Sequence, residues 1–306
     1  MKRIGVPLTI AVSVVWFGFA AAPAGATQPG SNGRIAFTGD TGNGVEIFTI
    51  NPDGSDLQQL THLGETASTP DFSPDGARIV FALEDVGIFM MDADGSNQQQ
   101  LTVGEGPASF TPDGHHLVYE CGDCTGGDGV FLMRDDASDF PGLRLSTNPF
   151  PDEGDGNPEV SPDGQTVTFV RHQVDGELQA LFAVDIDGSN TRQLTPYGFE
   201  VGIKHDWAPD GQRIVVTPWA DFPDHLSPDV ATIAADGSDV RMLTMFTAGG
   251  AAAFAGSYSP DGAWIAFRQQ NKVHSGLWVM HPDGTARHQI GSFAFRPRFI
   301  DWGSAS

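Results

Sequence analysis

Short apolar runs recur along the whole chain, each alternating with polar positions and each bounded by a turn phrase. Arg78-Ile79-Val80-Phe81, Ile88-Phe89-Met90-Met91 and Trp264-Ile265-Ala266-Phe267 have the length and period of strands, and no stretch of these units carries a 3.6-residue period. An aromatic residue or Val followed by Ser/Thr/Ala-Pro-Asp-Gly precedes such a run five times. The copies are Phe72–Gly76, Phe110–Gly114, Val160–Gly164, Trp207–Gly211 and Tyr258–Gly262. Their prolines, Pro74, Pro112, Pro162, Pro209 and Pro260, stand 38, 50, 47 and 51 residues apart. A second phrase follows each, Asp-Gly-Ser/Thr with a Leu-Thr-like end, as in Asp94-Gly95-Ser96 with Leu101-Thr102 and Asp187-Gly188-Ser189 with Leu194-Thr195.

Both phrases read as hairpin turns. Proline presets φ at the first central position, Asp suits the second, and Gly takes the left-handed position that closes a bulged hairpin. One unit is then four short antiparallel strands, which is the blade of a β-propeller. The ends set the count. Gly33-Arg34-Ile35-Ala36-Phe37 begins a unit that lacks its innermost strand, and Phe299-Ile300-Asp301-Trp302-Gly303 is an innermost strand with nothing after it. The fold expected is all-β: a six-bladed propeller in which the C-terminal strand completes the N-terminal blade, leaving no open sheet edge.

The Ser-Pro-Asp-Gly and Asp-Gly-Ser…Leu-Thr phrases resemble the WD40-like (PD40) repeats of the TolB family propeller, over residues 33–303. The resemblance implies an extracytoplasmic propeller. It departs from TolB in having no N-terminal domain before the first strand. It departs from the prolyl-oligopeptidase type, which uses the same repeats, in having no α/β-hydrolase domain and no G-x-S-x-G.

Charge narrows the partners. The chain carries 16 basic and 39 acidic side chains, a net charge of −23. A molecule so acidic repels phosphate backbones, which argues against nucleic acid. Met1-Lys2-Arg3, the apolar run Ile4–Ala22 and Ala24-x-Ala26 form a signal-peptide pattern, with cleavage expected after Ala26. Residues 27–306 would be the mature propeller, monomeric, exported, without a membrane span, and with only Lys204 and Lys272 as lysines.

The turns assign loops to faces: the Pro-Asp-Gly and Asp-Gly-Ser turns on one, the variable loops Thr38–Gly44, Glu120–Gly129, Pro149–Asn157, Pro218–Pro228 and Met245–Ala255 on the other. Binding usually resides in variable loops on a rigid frame. The residues before the inner-strand aromatic positions are Asp71, Ser109, Glu159, Asp206, Ser257 and Asp301. Asp71, Glu159, Asp206 and Asp301, with the adjacent His205, are the candidate binding residues. They are expected near the variable-face mouth of the channel, where they would attract Ca2+ or a basic peptide, or else bond neighbouring blades. Asp92–Asn97 and Asp185–Asn190 put Gly fourth rather than sixth and read as hairpins, not calcium loops. Cys121 and Cys124 read as a disulfide rigidifying a loop. His62, His172, His205, His225 and His274 lie in or beside variable loops. Two functions fit: a non-catalytic protein- or peptide-binding propeller of the cell envelope, and a metal-dependent carbohydrate lyase or hydrolase with its site at the channel mouth.

Overall fold

A computed structural model describes residues 30–306 apart from 105, 123, 125–127, 150–153, 174–177, 200, 203, 219–227 and 247–249. The signal-peptide pattern and His225 lie outside the described residues. The described residues form six four-stranded antiparallel sheets, and none of them is helical.

The first blade holds β1 (Asn32–Asp40), β2 (Val45–Ile50) and β3 (Gln58–Gln59). The second holds β4 (Ala67–Phe72), β5 (Arg78–Leu83), β6 (Gly87–Asp92) and β7 (Gln99–Gln100). The third holds β8 (Ala108–Phe110), β9 (His116–Cys121), β10 (Gly129–Arg134) and β11 (Leu143–Arg144). The fourth holds β12 (Asp155–Val160), β13 (Thr166–Gln173), β14 (Leu178–Asp185) and β15 (Arg192–Gln193). The fifth holds β16 (Asp206–Trp207), β17 (Arg213–Val216), β18 (Ala231–Ala234) and β19 (Arg241–Met242). The sixth holds β20 (Ala251–Tyr258), β21 (Ile265–Asn271), β22 (Ser275–Met280) and β23 (His288–Phe293). The last strand, β24 (Arg298–Ser304), pairs with β1 in the order β24-β1-β2-β3, with Trp302 opposite Ile35 and Asp301 opposite Ala36. The ring is a six-bladed β-propeller closed three strands plus one.

Turn chemistry sets the repeat. In the Ser73–Gly76 turn the Gly76 amide donates to the Ser73 carbonyl, and Gly76 takes φ +68°. Asp75 accepts from the Ser73 hydroxyl and the Ala77 amide, an Asx arrangement that suits this position. Gly114, Gly164, Gly211 and Gly262 repeat the left-handed conformation. At these four a side chain would approach the proline of the preceding blade's turn, so the turns stack around one face. The Leu-Thr end has a reason the sequence pattern alone did not give: Thr61, Thr102, Thr195 and Thr244 hydroxyls accept the amides of Ile47, Ile88, Leu181 and Val230.

The core lies in the seams between blades. Phe37, Phe81, Tyr119, Phe169, Val216 and Phe267 occupy one repeat position on the second strands and are all fully buried. Each apolar cluster joins two neighbouring sheets. Ile79 and Phe81 pack with Ala36 and Ile47, while Ile300 and Trp302 pack with Ala266 and Leu277.

Candidate functional site

The six aligned inner-strand positions tie the ring together. The Phe72 amide donates to Asp301 at 2.9 Å, and the Phe110 amide donates to Asp71 at 2.8 Å. The Ser109 hydroxyl donates to the Pro158 carbonyl at 2.9 Å. The Tyr258 amide and the Ser257 hydroxyl donate to Asp206 at 2.8 and 2.9 Å. Every one of these bonds crosses from one blade to another. Glu159 crosses differently: it pairs with Lys204, whose Nζ lies 2.5 Å from Oε1.

Local backbone geometry aims these side chains. The inner strands slip register between Ser68 and Asp71, between Gly156 and Glu159, and between Ala255 and Ser257, and β24 slips against β1. Thr69, Asn157 and Phe299, each two residues before an acid, have φ of 45°, 50° and 48°. Bulges of this kind bend a strand and redirect the residue that follows. In the fifth blade the position two before the acid is Lys204. That placement brings its ammonium among the four carboxylates.

Electrostatics at the centre follow from burial. Asp71 is half-buried, while Glu159, Lys204, Asp206 and Asp301 are buried. Burial raises all four carboxyls, Asp206 to about 7 and Asp71 well above the usual range, the latter also repelled by Asp301 and Glu159. Burial alone would lower Lys204. Attraction from Glu159, Asp301, Asp71 and Asp206 outweighs it and holds the ammonium charged beyond the ordinary lysine range. The cavity bordered by the four carboxylates has a volume of about 10 Å³, space for about one water molecule.

Sequence reading brings four of its five candidate residues together, with two differences. The cavity is also lined by Ser73, Pro74, Gly303 and Ser304, so the carboxylates face the Pro-Asp-Gly end of the channel and not the variable face expected for them. The inner strand runs toward that turn, and the acid precedes its last aromatic residue. His205 does not join the group. It is fully buried, its Nε2 lies 3.0 Å from the Thr168 hydroxyl, and burial lowers its pKa to about 3, so the ring is neutral. The Trp207 indole donates to the same hydroxyl at 3.0 Å. Among the described residues no group of three His, Cys, Asp or Glu side chains stands close enough to hold a metal ion. The positive charge beside the carboxylates is that of Lys204, whose ammonium Ca2+ would have to displace. The repeat gives Lys204 no place beside the carboxylates, because it stands outside the repeated phrase. The available signal was a lysine directly before His205-Asp206 in a chain otherwise almost without lysine.

The open chemistry lies on the variable face. A cleft of about 680 Å³ runs between the loop before β24 and the first loop of blade one, lined among others by Asp40, Val45, Phe295, Arg296, Arg298 and Phe299. Cys121 and Cys124 form a disulfide on the same face, packed beside Tyr119 and Phe131. His62 and His274 are exposed and His172 half-buried, in blades one, six and four.

No protein-family model matches the chain. The chain is similar in structure to TolB from Acinetobacter baumannii, with TM-score 0.71 and 19% identity over 89% of this chain and 67% of that one. A TolB-type protein from Agrobacterium tumefaciens gives TM-score 0.65 and 18% identity over 87% of this chain and 91% of that one. An oligogalacturonate lyase solved in complex with manganese gives TM-score 0.52 and 16% identity over 86% of this chain and 75% of that one. At these identities the likeness shows the fold. In sequence, YidR of Escherichia coli is 28% identical over 40% of this chain, a segment spanning 26% of YidR. Atu1656 of Agrobacterium fabrum is 27% identical over 64% of this chain and 67% of that protein. The peptidase YuxL of Bacillus subtilis matches at 38% identity over 20% of this chain, which is 9% of its own length. No helix among the described residues is long and apolar enough to cross a membrane.

Proposed function

We propose that this chain is a non-catalytic, extracytoplasmic β-propeller of the TolB type that binds a protein or peptide partner in the cell envelope. One observation carries the reading: the carboxylates of the channel are committed to bonds between blades and to Lys204, whereas the variable face keeps an open cleft with charged and aromatic walls. A rigid ring presenting such a surface suits recognition. The lyase reading draws on a likeness of fold alone.

The test is site-specific photo-crosslinking in the native cell. A crosslinker at exposed Ala294 on the variable face should capture a discrete partner that one at exposed Asp187 on the turn face does not. Capture only from the turn face, or from neither, would overturn the reading. Export is checked by sequencing the mature N-terminus, expected at Thr27.

A further inference from the structure

In a chain of net charge −23, one face gathers three arginines, Arg268, Arg296 and Arg298, that form no ion pair among the described residues. Arg296 and Arg298 are exposed and line the variable-face cleft. Arg268, on the neighbouring strand β21, is only 9% exposed, and its guanidinium stacks 3.7 Å from the Phe254 ring centroid. The buried Nε of Arg268 has no hydrogen-bond partner. Burial, with repulsion from Arg298 and Arg296, lowers Arg268 to about 9, so its guanidinium remains charged at neutral pH beside theirs. Other arginines of the ring are neutralised, as Arg34 is by Asp56, Arg78 by Asp135, Arg171 by Asp155 and Arg213 by Asp239. The acid within the cleft is Asp40, which accepts from the Gly42 amide at 2.8 Å.

Like charges held together beside a buried, incompletely bonded guanidinium are stabilised by an arriving anion. Guanidinium forks match carboxylates in particular. The walls add a second requirement. Phe295, Phe299, Val45 and Ala294 offer apolar surface next to the charges, which suits aliphatic or aromatic side chains alternating with acids. We propose that this cleft binds an acidic peptide segment of the partner, its carboxylates pairing with Arg296 and Arg298 and its apolar side chains lying on Phe295 and Phe299. The proposal rests on the peptide-binding reading above and gives that peptide its chemistry. It places the ligand on the opposite face from the channel carboxylates and assigns it the opposite charge from the basic peptide expected there.

Fluorescence anisotropy on the purified chain tests it, with a labelled hexapeptide of alternating glutamate and leucine and its lysine counterpart. The glutamate peptide should bind, and more weakly as salt rises from about 0.05 to about 0.5 M. Arg296→Glu with Arg298→Glu should weaken it roughly tenfold or more while leaving the melting temperature unchanged. Arg241→Glu, on the turn face, should leave binding as it was. Preference for the lysine peptide, or equal binding by the double variant, would overturn the acidic cleft yet leave a peptide-binding propeller standing. Binding of an oligomeric polyuronate in place of either peptide would overturn both readings. No binding of any probe would overturn the cleft, and the crosslinking experiment would then decide the function alone.

Discussion

Lys204 and Asp206 stand on the same short segment and answer opposite questions about the ring. Lys204 supplies the positive charge beside the buried carboxylates. Replacing it, Lys204→Met, leaves Glu159 buried and unpaired, which typically costs about 3–5 kcal/mol. Urea denaturation at pH 7.5 should show that loss, and it should shrink at pH 5, where the raised carboxyls take up protons. Equal stability of variant and parent at both pH values would refute this role. Asp206, raised to about 7 by burial, gives the reverse experiment. A carboxyl whose folded pKa is raised contributes stability that is complete below its unfolded pKa and disappears as pH rises through its folded one. Melting temperature should therefore fall between pH 4 and pH 8. Asp206→Asn keeps an oxygen that can accept from the Tyr258 amide and the Ser257 hydroxyl, so it should flatten that slope and gain on the order of 2 kcal/mol over the parent at pH 8. A slope unchanged in the variant would show that other groups set it. The acids themselves were legible, because the repeat aligns them. Their surroundings were not, because a bulge moves Asp71, Glu159 and Asp301 by one register step and no turn residue marks it.

The elements were the most legible level, since hairpin turns carry their own residue chemistry and the two ends of the chain each supply part of one sheet. The sequence pattern did not show the outermost strands as two-residue pieces such as β3, β7 and β15. Their stability comes less from length than from the Leu-Thr hydroxyl bonds within each sheet, a contact that periodicity does not report. Closure by β24 gives the sharpest test at this scale. Ile300 and Trp302 are buried, and the strand packs against both its own blade and its neighbours. Trp302→Ala should cost about 3–5 kcal/mol. Deleting residues 296–306 should leave β1 with an unpaired edge and give an aggregating chain. A monomeric deletion variant that melts cooperatively at the parent temperature would disprove the closure.

At the scale of the whole molecule, excess negative charge works against compactness. Added sodium chloride should raise the melting temperature by screening it, and most of the gain should come between about 0.01 and about 0.15 M salt, where the screening length shrinks fastest. A melting temperature insensitive to salt would mean that the acids are already neutralised locally. Composition announced this property directly. It did not announce that the basic residues are sorted, several into ion pairs and three into one cluster that forms no ion pair among the described residues, because that sorting depends on which blades become neighbours.

The seam in blade one also decides when the molecule is finished. A chain that emerges N-terminus first presents Ile35 and Ala36 long before Asp301 and Trp302 exist to cover them. The blades between can assemble from neighbours, yet the ring stays open, with one strand waiting for its partner from the far end of the sequence. Long-range pairing of this kind is slow to form. The ring therefore stays open, with Ile35 and Ala36 uncovered, until β24 has been made and pairs with β1. β24 thus acts as a latch, joining strands more than 250 residues apart in sequence and closing the ring of blades.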